Sequence, residues 1–433
     1  TSDCGLYVHV PFCRRKCRYC DFYSRPPDGA GELDRCAEAV VREMALTQES
    51  VRLCAQTHTY LGLGTVYFGG GTPSMLGAGR LAKILGAIRE RWNVAPDPQC
   101  VRLDVQTNTS AGPPLPEITI EANPLDVTPH WAAGALEAGF NRVSIGVQSI
   151  NNDDLRFLGR LHHAGDGVRA VETARAAGFD EIGIDLIYGL PGQTAGMLRQ
   201  RVTRAVESCR PEHVSCYQLT YTAGTPLADD VEAGRVRPLL RDDEYELFVA
   251  LHRVLDELGY PAYEVSNFAR DDAFFAIGRS RPEEHGQACP ERSRSDGRAT
   301  HRSRHNSNYW RHVPYIGLGP SAHSFDGRAR AWNVSSVTDY FALVENGELP
   351  AAGREELSDE QLASEMVMLA LRTTDGLDLN TYRQRFGRDF LGTNRAAVQG
   401  AADRGLVTLS GSRLRPTVEG LAVADGLAAE FRC

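Results

Sequence analysis

Leu6-Tyr7-Val8-His9-Val10-Pro11-Phe12-Cys13-Arg14-Arg15-Lys16-Cys17-Arg18-Tyr19-Cys20 carries a strand-like run straight into a cysteine loop. Three thiols on one short loop can converge on one metal centre, and the neighbouring Arg and Lys are expected to favour their thiolate forms. Structural zinc usually takes four ligands, commonly as two separated pairs, and no second pair stands at such spacing here. Iron–sulfur cubanes held entirely by protein usually take four cysteines. Three therefore imply a cluster with one iron open to a small-molecule ligand. Three unconnected core cysteines would be improbable on so charged a loop.

Five further apolar runs follow at 65–68, 117–122, 142–148, 181–187 and 213–219, with helix-like segments at 33–49, 81–91, 167–177 and 194–208 between them. Val/Ile/Leu runs joined by helices indicate parallel strands covered by helices. Six such units predict an α/β chain with a partial (β/α)6 TIM-like barrel. Residues 97–116 read as an inserted loop. Residues 277–304 are polar and repeat Arg-Ser-Arg three times. Such tracts are more often solvated, disordered insertions than phosphate or nucleic-acid sites. Residues 309–333 look strand-rich, with glycine turns. From 357 the pattern turns helical (357–372 and 379–386), then gives a hairpin (406–409 with 413–416) and a final helix. The expected organisation is a barrel core over 1–240, a strand extension over 241–350 holding the insertion at 277–304, and a small α-rich, winged-helix-like domain over 351–433. That last domain has no dense basic helix, so it suits packing rather than DNA binding.

The 433 residues fit two or three domains at about 100–200 residues each. Hydrophobic residues at 42% and charged residues at 24% describe an ordinary globular protein. No window approaches the roughly 20 continuous apolar residues of a spanning helix, so no transmembrane segment is expected. No basic stretch leads into an apolar run as in a secretory signal. The chain begins at Thr1 rather than Met, so leading residues are expected to be missing. A net charge of −9 argues against wholesale nucleic-acid binding. Eleven cysteines without a signal peptide suggest a reducing compartment, with the cytoplasm as the expectation.

Gly69-Gly70-Gly71-Thr72-Pro73 closes the second strand, where glycines let the backbone approach a ligand. It lacks the Gly-Lys-Ser/Thr ending of a P-loop and the spacing of a dinucleotide fingerprint. Polar residues recur where the other strands should end: Glu121 and Asn123, then Gln148, and Asp185 within 181–187. A carboxylate in an apolar strand is costly unless paired or functional. Aligned with the cysteine loop, these residues point to one mouth at the C-terminal end of a barrel. They suit a ligand with an amino group and ribose hydroxyls.

Together these features resemble the radical S-adenosylmethionine superfamily, whose signature is Cys-x3-Cys-x2-Cys with an aromatic, here Tyr19, before the last cysteine. The stretches at 7–13, 69–74, 121–124, 144–149, 158–160 and 185–191 are similar to the oxygen-independent coproporphyrinogen III oxidase family. His305-Asn306-Ser307-Asn308-Tyr309-Trp310 is similar to its HemW-like, haem-chaperone branch. The resemblance implies a [4Fe–4S] cluster on Cys13, Cys17 and Cys20, with S-adenosylmethionine chelating the open iron. It also implies a pocket formed by Tyr7, Gly70, Gly71, Thr72, Glu121, Gln148, Arg160 and Asp185, with Tyr19, Thr220 and His323 as further members.

Within the family, the oxidases resemble Cys-x3-Cys-x2-Cys-x-Cys and have an extension before the first strand. Phe22 takes the place of the fourth cysteine here, and only a handful of residues precede Leu6. The resemblance therefore implies haem as cargo, an acceptor protein and an electron donor as partners, and retained capacity for reductive S-adenosylmethionine cleavage. His305 beside aromatic rings is a plausible axial haem ligand; the alternative is a motif stitching the strand extension onto the barrel. The competing activity is oxidative decarboxylation of coproporphyrinogen propionates to vinyls.

Overall fold

The computed structural model describes residues 4–47, 63–92, 116–276 and 301–433. Most of the loop expected at 97–116 and most of the insertion expected at 277–304 lie outside the described residues. Six strands, β1 (Cys4–Val10), β2 (Leu63–Gly70), β3 (Glu117–Ala122), β4 (Arg142–Gln148), β5 (Glu181–Tyr188) and β6 (His213–Gln218), pair in chain order, all parallel. Helices α1 (Ala30–Leu46), α2 (Gly77–Trp92), α3 (Pro129–Ala138), α4 (Ala164–Ala177) and α5 (Ala195–Cys209) connect them. Their ends follow local chemistry. In α3 the Thr128 side chain accepts the Trp131 N–H at the start, and Gly139 at φ +100° closes the last turn.

Alternation along each strand explains both faces of the sheet. Leu6, Val8, Val66, Phe68, Ile118, Ile120, Val143, Ile145, Ile182, Ile184 and Val214 are buried in one core with the covering helices. The intervening positions are small or polar: Gly5, Tyr7 and His9 on β1, Thr65, Tyr67 and Gly69 on β2, Thr119 and Glu121 on β3, Ser144 on β4, Asp185 on β5, Ser215 and Tyr217 on β6. Tyr7, Tyr67 and Glu121 line one cavity with Tyr217, so the sheet curls to bring β6 across from β1 and β2. A TIM barrel fills this space with bulky aliphatic side chains. Here it stays open as a lumen.

The sheet continues past both ends of the barrel. Antiparallel β7 (Asn267–Ala269) follows β6, and parallel β8 (Tyr315–Leu318) pairs with β1. Beyond β8 come β9 (His323–Phe325), β10 (Ala329–Asn333) and β11 (Ala351–Glu356), which carry the extension sheet past residue 350. Helix α6 (Arg241–Glu257) packs on α5.

Residues 301–310 form a plug across the N-terminal end of the barrel. The carbonyl of His301 accepts from Arg142 Nη2 of β4 at 3.2 Å, and its Nδ1 lies 2.7 Å from Glu181 Oε1 of β5. Helix α7 (Arg304–Trp310) then starts on the Ser303 cap. Both oxygens of Glu117 on β3 accept its first N–H groups, from Arg304 and His305, each at 3.0 Å. Two expectations are corrected here. Residues 301–304 are placed and His301 and Ser303 are buried, because the feet of β3, β4 and β5 supply their partners. Tyr309 and Trp310 finish a helix rather than begin a strand.

From Asp359 a second apolar core gathers helices α9 (Asp359–Ala370), α10 (Leu379–Phe386) and α11 (Phe390–Asp403) around Val367, Leu371, Tyr382 and Phe390; α8 (Val337–Glu345) belongs to the barrel core. A three-stranded antiparallel sheet, ordered β12 (Leu377–Asp378), β14 (Arg413–Pro416), β13 (Val407–Ser410), includes the expected hairpin. Two short helices, Val418–Ala422 and Ala424–Ala429, stand where one was expected. Among the described residues no helix is long and apolar enough to cross a membrane.

Glu117→Ala leaves two part-buried N–H donors of α7 without acceptors, which should lower stability by about 1–3 kcal/mol. Urea unfolding reads the loss, and hydrogen exchange should rise over 304–310 first. Unchanged exchange there would mean that Glu117 does not hold the plug.

Candidate functional site

The cysteine loop is pinched at its neck. Cys13 N–H donates to the Arg25 carbonyl and Arg25 N–H to the Pro11 carbonyl, both at 3.0 Å. Beside it, the Gly71 N–H reaches the Val10 carbonyl at 2.8 Å, and a Cβ on Gly71 would sit 2.6 Å from the Phe12 carbonyl oxygen. Only glycine permits that approach. Thr72 Oγ1 lies 3.2 Å from Cys13 Sγ. Arg160 donates through Nη1 to Cys17 Sγ at 3.4 Å and through Nη2 to the Gly146 carbonyl at 3.0 Å, while its buried Nε has no partner. Tyr19 packs on Leu158, Ile187 and Leu219.

Burial raises the pKa of Cys13, and it raises Cys20 to about 11. For these two thiols, before a metal binds, loss of hydration outweighs the neighbouring cations. Arg14 and Arg18 are also engaged elsewhere, with Asp126 and Asp230.

Below the loop the lumen is acidic. Tyr67 donates its hydroxyl to Glu121 Oε1 at 2.7 Å, and Ser144 Oγ donates to Asp185 Oδ1 at 3.0 Å. Burial, then the charge of Asp185, pushes Glu121 up to about 8; burial also raises Asp185. Both carboxylates are half-buried, and Glu121 lines the cavity. Gln148 stands at φ +63°, beside a register shift that ends β4. A non-glycine residue held there stores roughly 1–3 kcal/mol of strain, and such strain clusters at functional sites. Its Nε2 and Arg160 Nη2 both crowd Gly146.

The structure thus gathers Cys13, Cys17, Thr72, Gly71 and Arg160 around the loop, with Gln148 beside Arg160. Tyr7, Gly70, Glu121 and Asp185 face the lumen beneath. Thr220 is exposed in the loop after β6. His323 is set apart on β9, its exposed ring stacked on Trp332 at 6.1 Å.

His305 differs most from expectation. It is 1% exposed at the foot of the lumen, stacked on Tyr67 at 5.0 Å. Nδ1 lies 2.9 Å from Thr65 Oγ1 and Nε2 lies 2.9 Å from the Tyr309 hydroxyl. Both nitrogens are occupied, so this ring is not presented as an open axial ligand. Burial depresses its pKa to about 3, which keeps it neutral.

The cavity of about 220 Å³ runs from Phe22, Gly70 and Tyr217 at its mouth, past Tyr7, Tyr67 and Glu121, to His305, Asn306 and Tyr309 at its floor. Sequence reading missed Tyr67 and Ser144 as partners of the carboxylates, and Tyr217 as a wall of the cavity. Their signal was the two-residue alternation with neighbouring apolar positions. A larger hollow of about 420 Å³ lies in the C-terminal region, by Tyr382 and Arg432, and shares none of these residues.

A parallel half-barrel with a three-cysteine loop at its C-terminal mouth defines a radical S-adenosylmethionine protein, and the model of that superfamily matches residues 7–205. The model of the HemN C-terminal domain matches 357–423. The chain is 34% identical to the haem chaperone HemW of Mycobacterium tuberculosis over 98% of its length and 93% of that protein's. It is 30% identical to HemW of Bacillus subtilis, covering 96% of each. The chain belongs to the HemW family. It is also 30% identical to the mitochondrial radical S-adenosyl methionine domain-containing protein 1 of Bos taurus, over 98% of this chain and 86% of that one. Its fold matches coproporphyrinogen III oxidase (HemN) of Escherichia coli with a TM-score of 0.74, over 100% of this chain and 90% of that one, at 20% identity.

The superfamily implies a [4Fe–4S] cluster and S-adenosylmethionine, and the residues present fit both. Three thiols on one loop suit a cubane with an open iron. The partnerless Arg160 Nε and the glycine floor suit a polar ligand beside it.

Between about pH 6.5 and pH 4 the unfolded chain protonates the histidine that the fold keeps neutral at position 305. Its contribution is therefore complete above about pH 6.5 and falls as the pH drops, by about 1.4 kcal/mol per pH unit. His305→Gln should remove that increment from the acid slope of urea-unfolding free energy. An unchanged slope would contradict a neutral buried His305.

Proposed function

We propose that this protein binds haem and passes it to acceptor proteins, as the name of its HemW relatives describes, and that it carries a [4Fe–4S] cluster and S-adenosylmethionine. The observation that carries the reading is identity of 34% sustained over 98% of the chain with a haem chaperone. Two features of this chain support it. Phe22 stands where the oxidases resemble a fourth cysteine. The lumen is also closed at its foot by α7, with His305, Asn306 and Tyr309 on its floor, so a macrocycle can approach it only from the mouth. The oxidase reading rests on shared fold alone, and one fold hosts many activities.

In this reading Cys13, Cys17 and Cys20 hold the cluster, which when bound and reduced supplies one electron for sulfonium cleavage. Thr72 and Arg160 hydrogen-bond the sulfurs of Cys13 and Cys17 and so set their orientation. Gly70 and Gly71 let the backbone approach S-adenosylmethionine. Glu121 and Asp185 offer carboxylates to its amino group and ribose hydroxyls, Tyr7 and Gln148 border it, and Tyr19 backs the loop. Thr220, in the loop after β6, belongs to this pocket by family resemblance, whereas His323 stands apart from it on β9. The electron donor and the haem acceptor are separate proteins, and the setting is the cytoplasm.

Anaerobically reconstituted protein should bind haem in a spectral titration and transfer it to an apo-acceptor. Absence of binding would refute the reading. Single Cys13→Ala, Cys17→Ala and Cys20→Ala variants should each lose the cluster's visible absorbance and its bound iron and sulfide. Retention of a full cluster by any one of them would remove that cysteine from the ligand set.

A further inference from the structure

The haem needs a seat, and the residue expected to provide it is closed off. His305 has both nitrogens bonded and lies 1% exposed on the floor of the cavity. At the other end of the same cavity the situation is reversed. Phe22 is 62% exposed and Tyr217 44% exposed, although both rings line the cavity. They come from opposite ends of the six-strand parallel sheet, Phe22 from the loop after β1 and Tyr217 from the C-terminal half of β6. A large aromatic ring left in water where a cavity opens is unfavourable unless something flat covers it.

We propose that the porphyrin plane rests across the lumen mouth between the rings of Phe22 and Tyr217, and not on His305. This deepens the haem-chaperone reading and rests on it. The ligand class is a planar aromatic macrocycle carrying carboxylates. Offset or edge-to-face packing on two rings suits such a plane. Lys16, exposed on the same loop as Phe22, supplies a cation of the kind a propionate needs. A seat made of rings is indifferent to the metal. It holds a macrocycle without committing the iron, and a carrier must later surrender that iron to an acceptor. The position also accounts for Phe22 where a cysteine would offer the iron a thiolate.

The test uses cluster-reconstituted protein, titrated anaerobically with haem and, separately, with metal-free protoporphyrin IX. Wild type should bind both with affinities within about tenfold of each other. Phe22→Ala and Tyr217→Ala should each weaken both ligands by about tenfold or more, as loss of an aromatic contact plus its buried area predicts. Phe22→Trp should restore binding. His305→Gln should stay within about twofold of wild type. The urea-unfolding midpoint, measured in parallel, should be unchanged in the Phe22 and Tyr217 variants, which checks their folding. Three outcomes overturn the proposal while leaving the haem-chaperone reading standing: alanine variants that bind porphyrin like wild type, a lowered unfolding midpoint alongside the loss of porphyrin affinity, or haem binding abolished by His305→Gln with no binding of the metal-free ring. If wild type binds neither ligand, the haem-chaperone reading falls and this inference with it.

Discussion

A carboxylate on the inner face of a sheet is expensive unless donors surround it, and this barrel carries four: Glu117, Glu121, Asp185 and Glu181. The rest of the architecture can be derived from how each is satisfied. At the foot, Glu117 takes two N–H groups of α7, and Glu181 takes Arg142 and His301. Those contacts draw residues 301–310 across the barrel end and close it. Higher up, Glu121 takes the Tyr67 hydroxyl and Asp185 takes Ser144. These two lie close enough for the charge of Asp185 to raise Glu121. The foot is satisfied by protein alone. Of the upper pair, which also takes the Gly70 N–H and the Ser215 hydroxyl, Glu121 lines the cavity, where a ligand with donors would enter.

The same bookkeeping separates the two roles of the cysteine loop. Its backbone and cations are committed to scaffold: Arg14 to Asp126, Arg18 to Asp230 and the Phe157 carbonyl, Arg15 to the Gly159 carbonyl. What remains for chemistry are three thiols, Arg160 and Thr72. Buried thiols with raised pKa values are poor nucleophiles, but metal binding displaces their protons outright. The environment therefore suits ligation and disfavours free-thiol reactivity.

Much of this was legible in the sequence because the signals were local. The Val/Ile/Leu positions of six strands, the spacing of Cys13, Cys17 and Cys20, and the glycines before Thr72 need no partner to be read. The plug was not legible. His305-Asn306-Ser307-Asn308 has no apolar period, follows a polar Arg-rich tract, and forms a helix only because Glu117 and Thr65, 188 and 240 residues away in the chain, supply acceptors and packing. The burial that raises Cys13 and Cys20 was not legible for a related reason. Neighbouring charge is visible in a sequence, whereas the depth at which a loop is buried is set by Leu158, Ile187 and Leu219 from three other elements. Tyr67 and Tyr217 lay in between, since the two-residue alternation was present but masked by reading the strands as continuous apolar runs.

His305 and its neighbours can be strongly specified by structure alone, and that bears on how function is divided in this fold. A histidine bonded on both sides, neutral, and stacked on Tyr67 fixes the depth of the lumen floor. Any substitution there alters the volume left above it, and so alters ligand binding without touching a ligand. Sensitivity to mutation at such a position cannot by itself identify an iron ligand. The mouth is different: the Phe22 ring is 62% exposed and the Tyr217 ring 44% exposed, although the Tyr217 hydroxyl is hydrogen-bonded to Ser215. Where a scaffold has already satisfied its own polar groups, the side chains still facing water are the ones whose identity the fold does not explain, and the division between haem handling and haem synthesis has to be sought among them.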